Sequence, residues 1–293
     1  MARRGPRFGR RRARPRGAAS VSGATGAGNR NSRSGEQGER LVRLYILDLG
    51  RCDVDKGAVL TPGSGDGTRI QIPIVGYLIQ TGDGRNILVD TGIHRKHIAD
   101  PLATHRGKPF AKVLTVMMRP EDDIANRLGE IGLRPDDVDV LVSTHFHFDH
   151  AGNHADFGRA RILVQRECYE AARSSDRYPR DLFDLPHLHY EMVDGDTDIA
   201  PGVRLLETSG HVPGHQSVLV RLPKTGSVIL AIDAIYTPEN VETDNWGVYT
   251  DPDRARASAR RLVELASAEG ALLIYGHDPA QWATLRKAPA YYD

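Results

Sequence analysis

An apolar strand that ends in a crowd of lone pairs is the feature that most restricts this chain. "VDVLV", Val138 to Val142, leads into "STHFHFDHAGN", Ser143 to Asn153, which sets three histidines and an aspartate within six residues. Side chains two apart on a strand face one side, so His145, His147 and Asp149 can converge as the strand runs out into a loop. His150 then points elsewhere, where it can serve a second ion beside Asp149. A cluster this dense is costly to bury unless each lone pair meets a cation or a hydrogen-bond donor. Imidazole and carboxylate without thiolate suit zinc, the default, and also accept iron, manganese or cobalt.

Three more strand ends carry ligand-type residues. "ETSGHVPGHQ" holds His211 in a Gly-flanked turn, with His215 four residues later as a competing donor. "VILAIDAIYT" closes a strand on Asp233, and "LLIYGHD" closes another on His277. By spacing alone, either His211 or His215 can complete the set.

Composition narrows the class. Residues 1–40 carry eleven arginines against Glu36 and Glu39, while the rest of the chain has 28 basic and 36 acidic residues. The formal net charge of +1 therefore hides a basic segment joined to an acidic body. The first 40 residues have almost nothing to bury and are expected to be a disordered Arg/Gly/Ser-rich extension. "GATGAG" within it follows no strand and is no dinucleotide fingerprint. With two cysteines, Cys52 and Cys168, and no apolar run of membrane-spanning length, a cytoplasmic protein without membrane attachment is expected. The opening arginines precede no apolar h-region, which disfavours export.

From Leu41 onward, short β-rich runs alternate with turns: "LVRLYILDLG", "IPIVGYLIQ", "NILVD", "ARILV", "VRLLETSG", "SVLVRL", "VILAID" and "LLIYG". Helical patterns follow Pro120 ("EDDIANRLGEIG") and occupy "DPDRARASARRLVELASAEG". Strands cluster with few helices between them. That predicts an α/β chain of two mixed sheets packed together under helices, in one domain over 41–293.

H-x-H-x-D-H, a later Gly-His turn, an Asp at a strand end and a late Gly-His together resemble the metallo-β-lactamase superfamily. "RILVQRECYEA", "SGHVPGHQSVLV", "AIDAIYT" and "IYGHD" are similar, more narrowly, to the N-acyl-homoserine lactone lactonases. "HAGN" and "TSGH" depart from the commoner "HAGGN" and "TPGH" in loop shape and leave the ligands intact. The resemblance implies an αββα sandwich. It assigns His145, His147 and His211 to one metal and Asp149, His150 and His277 to the other, with Asp233 bridging both. It also implies a bridging water, its pKa lowered by two ions about 3.5–4 Å apart, whose hydroxide attacks the lactone carbonyl, which quenches quorum signals. Asp149 would shuttle the proton and Tyr236 would donate to the oxyanion.

Phe148, Phe110, Met117 and Trp246 are candidate walls of the substrate pocket. His215 is expected to support the ligands, and "PHLHY" (His187, His189) to be a packed loop. His94, His97 and His105 are expected to be solvated, and the cysteines to be packing residues. The resemblance implies a small-molecule lactone as partner, and a monomer or homodimer is expected. Hydrolysis of another lactone or ester, such as a pyridoxolactone, is the alternative. A metallo-nuclease using the basic extension fits less well, because the acidic body opposes phosphate.

Overall fold

A computed structural model describes residues 42–293, so the Arg-rich extension lies outside the described residues. One sheet contains β1 (Arg43–Asp55), β2 (Arg69–Gln80), β3 (Asn86–Val89), β4 (Leu114–Met117), β5 (Val140–Val142), β6 (Arg161–Gln165), β7 (His189–Val193) and β13 (Tyr291–Tyr292). The other contains β8 (Thr197–Ala200), β9 (Val203–Glu207), β10 (Gln216–Leu222), β11 (Gly226–Ile232) and β12 (Leu272–Tyr275). The first runs β13-β1-β2-β3-β5-β6-β7 with β4 also on β1, and the second β12-β11-β10-β9-β8. Both are mixed. β3, β5 and β6 are parallel neighbours, as are β11 and β12, and the hairpins are antiparallel.

The continuous apolar runs follow from strands buried on both faces. Val140 and Val142 join Val218, Val220, Val228 and Leu230 in the core between the sheets. Their neighbours Leu141, Leu219 and Ile229 face the opposite way, into the core beneath the helices. Helix Pro252–Glu269 buries Ala255, Ala259, Leu262 and Ala266, one stripe at helical spacing. Asp251 caps its start by accepting from the Arg254 amide, and Gly270 ends it at φ 59°, a left-handed backbone that glycine adopts without a Cβ clash. The helical pattern after Pro120 is shorter than its sequence suggests. A 3-10 turn, Pro120–Asp122, precedes a helix limited to Ile124–Gly129. Among the described residues no helix is long and apolar enough to cross a membrane.

Some expectations need correction. "LTVM", not among the strands read from the sequence, forms β4, paired antiparallel to β1. The short strands β7, β8 and β13 add to the runs read from the sequence. His97 and His105 are buried, contrary to the expectation of solvated side chains.

Candidate metal centre

Topology brings the ligand-type residues to one edge. β9 and β11 both run antiparallel to β10, and β12 runs parallel to β11. Their C-terminal ends therefore lie together, and His211, Asp233 and His277 follow them. The loop after β5 brings His145, His147, Asp149 and His150. Two close approaches depend on glycine. A Cβ on Gly210 would lie 2.2 Å from the Ala255 amide nitrogen, and one on Gly276 would lie 2.4 Å from the Ile232 carbonyl oxygen. These glycines directly precede His211 and His277 and let their turns seat.

The seven side chains sort into two groups. His211 Nε2 lies 3.2 Å from His145 Nε2 and 2.9 Å from His147 Nδ1, and the last two are 3.1 Å apart. Asp233 Oδ2 stands 3.2 Å from His211 Nε2 and 3.6 Å from His145 Nε2. On the other side, Asp233 Oδ1 is 3.3 Å from His150 Nε2 and 3.2 Å from His277 Nε2. Asp149 Oδ2 lies 3.8 and 4.0 Å from the same two nitrogens. The two oxygens of Asp233 thus face different groups.

The outward nitrogens decide what the inward ones offer. His150 Nδ1 is 2.8 Å from the Asp90 carboxylate, and His277 Nδ1 is 2.9 Å from the Pro73 carbonyl. Those oxygens only accept, so each Nδ1 carries the hydrogen and a neutral ring offers a bare lone pair at Nε2. His150 Nε2 and Asp233 Oδ1 are buried with no hydrogen-bond partner. Lone pairs aimed at carboxylate oxygens across 3.2–3.3 Å are repulsive unless a cation or proton lies between. Tetrahedral nitrogen ligands at zinc bond lengths stand roughly 3.3 Å apart, close to the spacings of the first group. The residues fit a pair of divalent cations.

Electrostatics separate the groups further. Burial holds His145 and His211 well below the ordinary imidazole range and His147 down to about 4, so these rings are neutral. Burial would also lower His150 and His277, but the neighbouring carboxylates, Asp233 foremost, override it and hold both above that range. Burial opposes the Asp233 charge, yet His150, His277 and His211 hold its carboxyl well below the usual range.

Residues 71–277 match the family model for the metallo-beta-lactamase superfamily. The N-acyl homoserine lactonase AiiA of Bacillus thuringiensis subsp. kurstaki is 39% identical over 252 residues, covering 85% of this chain and 98% of that protein. The N-acyl homoserine lactonase AttM of Azorhizobium caulinodans is 34% identical over 272 residues, covering 86% and 99%. A solved N-acyl homoserine lactone hydrolase, with its product N-hexanoyl-L-homoserine at the catalytic metal centre, superposes with a TM-score of 0.80 at 37% identity, covering 86% of this chain and 99% of that one. The chain is a metallo-beta-lactamase superfamily member of the N-acyl homoserine lactonase family.

In this family member the centre opens into a cavity of about 410 Å³. His147, Asp149, His211, Asp233, Tyr236 and His277 line its polar end, and Val59, Leu60, Ile72 and Leu114 its apolar wall. Phe148 and Phe110 line it too. Met117 does not: it is 43% exposed and faces a separate hollow with Arg51 and Arg119. Trp246 is buried one ring back, against Tyr249, with its indole N–H on Asp244. Both lie outside the cavity wall because β4 pairing and the Tyr249 ring intervene.

Tyr236 Oη is 2.9 Å from His211 Nδ1. With Nε2 of His211 turned into the cluster as a lone pair, Nδ1–H donates to the phenol oxygen and leaves the phenol hydrogen free. Burial raises the Tyr236 pKa well above its ordinary value, so that hydrogen stays in place. His187 bonds the Ala155 carbonyl, and His189 starts β7 at the surface. Both cysteines are buried and free.

Sequence reasoning missed Asp90. It accepts from the Thr144 amide (2.9 Å), the Thr144 hydroxyl (2.7 Å) and His150 Nδ1. Its backbone sits at φ 59°, a conformation costing about 1–3 kcal/mol that persists where the surroundings over-determine it. The signal was present: "NILVD" ends an apolar strand on a carboxylate, as "VILAID" does.

Proposed function

We propose that this protein opens the lactone ring of N-acyl homoserine lactones by hydrolysis and thereby quenches bacterial quorum signals. The observation that carries this reading is the seven-residue cluster, with its unpartnered His150 Nε2 and Asp233 Oδ1, at the polar end of a cavity with an apolar wall. Relatives at 34–39% identity that are N-acyl homoserine lactonases support it.

Two divalent cations would be held, one by His145, His147 and His211, the other by Asp149, His150 and His277, with Asp233 shared. An all-imidazole-and-carboxylate donor set supports zinc. When bound, such a pair supplies an acidified water and polarises an ester carbonyl. The residues of the chain do the rest. Tyr236 presents its free phenol hydrogen to the carbonyl oxygen as negative charge develops there. Asp149, part-exposed on the cavity, takes up the proton and returns it to the ring alkoxide, which stays tethered and would otherwise reclose. Apolar residues 59–60 and 72, with Phe148 and Phe110, shelter the acyl chain from water.

Residues 41–293 form the hydrolase domain on this reading. The buried free cysteines support a reducing, cytoplasmic location. All seven donors come from one chain, which supports a monomer or a homodimer with independent sites. Mass-spectrometric detection of the ring-opened acid, with metal content measured on the same sample, tests the proposal. Stoichiometric metal without turnover on any acyl homoserine lactone sinks it.

A further inference from the structure

Two buried histidines in the segment before β4, His97 in the short helix Lys96–Ala99 and His105 beyond it, use their nitrogens in opposite ways. His97 uses both: Nδ1 lies 3.1 Å from the Pro101 carbonyl and Nε2 2.8 Å from the Thr104 hydroxyl. It ties the loop together. His105 uses neither ring nitrogen within the described residues, although it is only 8% exposed. Its ring stands edge-on to Phe148, centroids 4.4 Å apart at 90°, and edge-on to Phe110 at 5.1 Å. It lines the cavity on the side of the acyl wall, next to Thr104, Lys108 and Leu114.

A buried imidazole without partners is costly. Nε2 is closed off, and an orphaned N–H is rarer in proteins than an orphaned acceptor. The hydrogen therefore belongs on Nδ1, the nitrogen that is not sealed, on a ring that lines the cavity. Burial holds the ring neutral, its pKa down at about 4. Lys108 lines the same wall with no ion-pair partner among the described residues, adding a second donor and no acceptor. Beyond its amide carbonyl, an unsubstituted acyl chain has nothing to offer these groups.

We infer that His105 is a specificity-determining residue whose Nδ1–H binds an acceptor oxygen on the acyl chain, so that the cavity prefers acyl homoserine lactones bearing a ketone at the third acyl carbon. This rests on the lactonase reading and names the substrate class within it. The reacting ester is the same with or without the ketone, so discrimination arises in the wall alone.

The test compares N-octanoyl- and N-(3-oxooctanoyl)-homoserine lactone on the metal-loaded full chain, His105→Phe and His105→Asn, after thermal melts of all three. Phe keeps a ring edge-on to Phe148 and removes the donor, while Asn keeps a donor at the same branch. The expected result is a kcat/KM ratio, ketone over plain, that falls about five-fold in His105→Phe, as for one neutral hydrogen bond, and stays nearer the unsubstituted value in His105→Asn. An equal ratio in the unsubstituted chain and His105→Phe overturns the inference while lactonase activity stands. Turnover of neither lactone by the unsubstituted chain takes down both. Should His105→Phe not fold, histidine ¹⁵N spectra of the unsubstituted chain decide. The ring-opened ketone acid should move the His105 Nδ1–H signal and the plain acid should not; equal shifts overturn the inference.

Discussion

The backbone amide of Asp233 donates to Nε2 of His215 across 3.2 Å. That one bond sets the two histidines of "GHVPGH" apart. With Nε2 accepting, Nδ1–H of His215 donates to the Thr208 hydroxyl at 2.9 Å, and Thr208 continues to Ser217 and the Ala231 carbonyl. Both nitrogens are occupied, so His215 has no lone pair left for a metal. It steadies the strand end that presents Asp233.

His215→Ala should therefore keep two ions per chain but lose stability. It strands the buried Asp233 amide, takes one of two partners from the Thr208 hydroxyl and opens a cavity, costing about 2–4 kcal/mol. His211→Ala should instead lose metal. Urea denaturation with metal analysis on both variants separates the roles. Loss of metal stoichiometry in His215→Ala alone would refute the assignment.

Asp90→Asn should weaken metal binding without touching a ligand. Asp90 sets the His150 tautomer through a 2.8 Å contact, and losing such an orienting partner typically costs 10- to 100-fold in affinity. Chelator competition reads this directly.

Tyr236→Phe should lower kcat more than it changes KM, by about 100-fold, the scale of one oxyanion donor. It also removes the partner of His211 Nδ1, so metal content must be measured beside the rate. A KM effect with unchanged kcat argues for simple binding.

Chelation should abolish turnover and lower the melting temperature, because ions that bind only the folded cluster stabilise it by mass action. His147→Ala should share the loss of turnover. Zinc, cobalt or manganese added back to the chelated protein should restore both activity and melting temperature.

Acid sensitivity should come partly from Asp122, far from the centre. Burial would raise its pKa, but Arg119 and Arg127 hold it below the usual carboxylate value. A depressed folded pKa gives stability that is present above the unfolded value near 3.9 and is lost as pH falls through the folded one. The stability gap between the chain and Asp122→Asn should be open at pH 7 and shrink below about pH 4. A gap that widens in acid contradicts this.

The sequence by itself determined the donor types, their order along the chain and the two-sheet class. Imidazoles and carboxylates closing apolar strands have no cheap use except around a cation, and strands buried on both faces must read as apolar runs. Tertiary structure alone decided which donor faces which. Asp233 divides its oxygens between groups contributed by segments 22 to 88 residues away, and no local pattern encodes such contacts. The same holds for the wall. Met117 and Trp246 share the apolar character of Phe110 and Phe148, and only strand pairing and the intervening Tyr249 ring move them off the cavity. His105, in a stretch that looks polar, is buried because the loop before β4 folds it onto Phe148, 43 residues further along the chain.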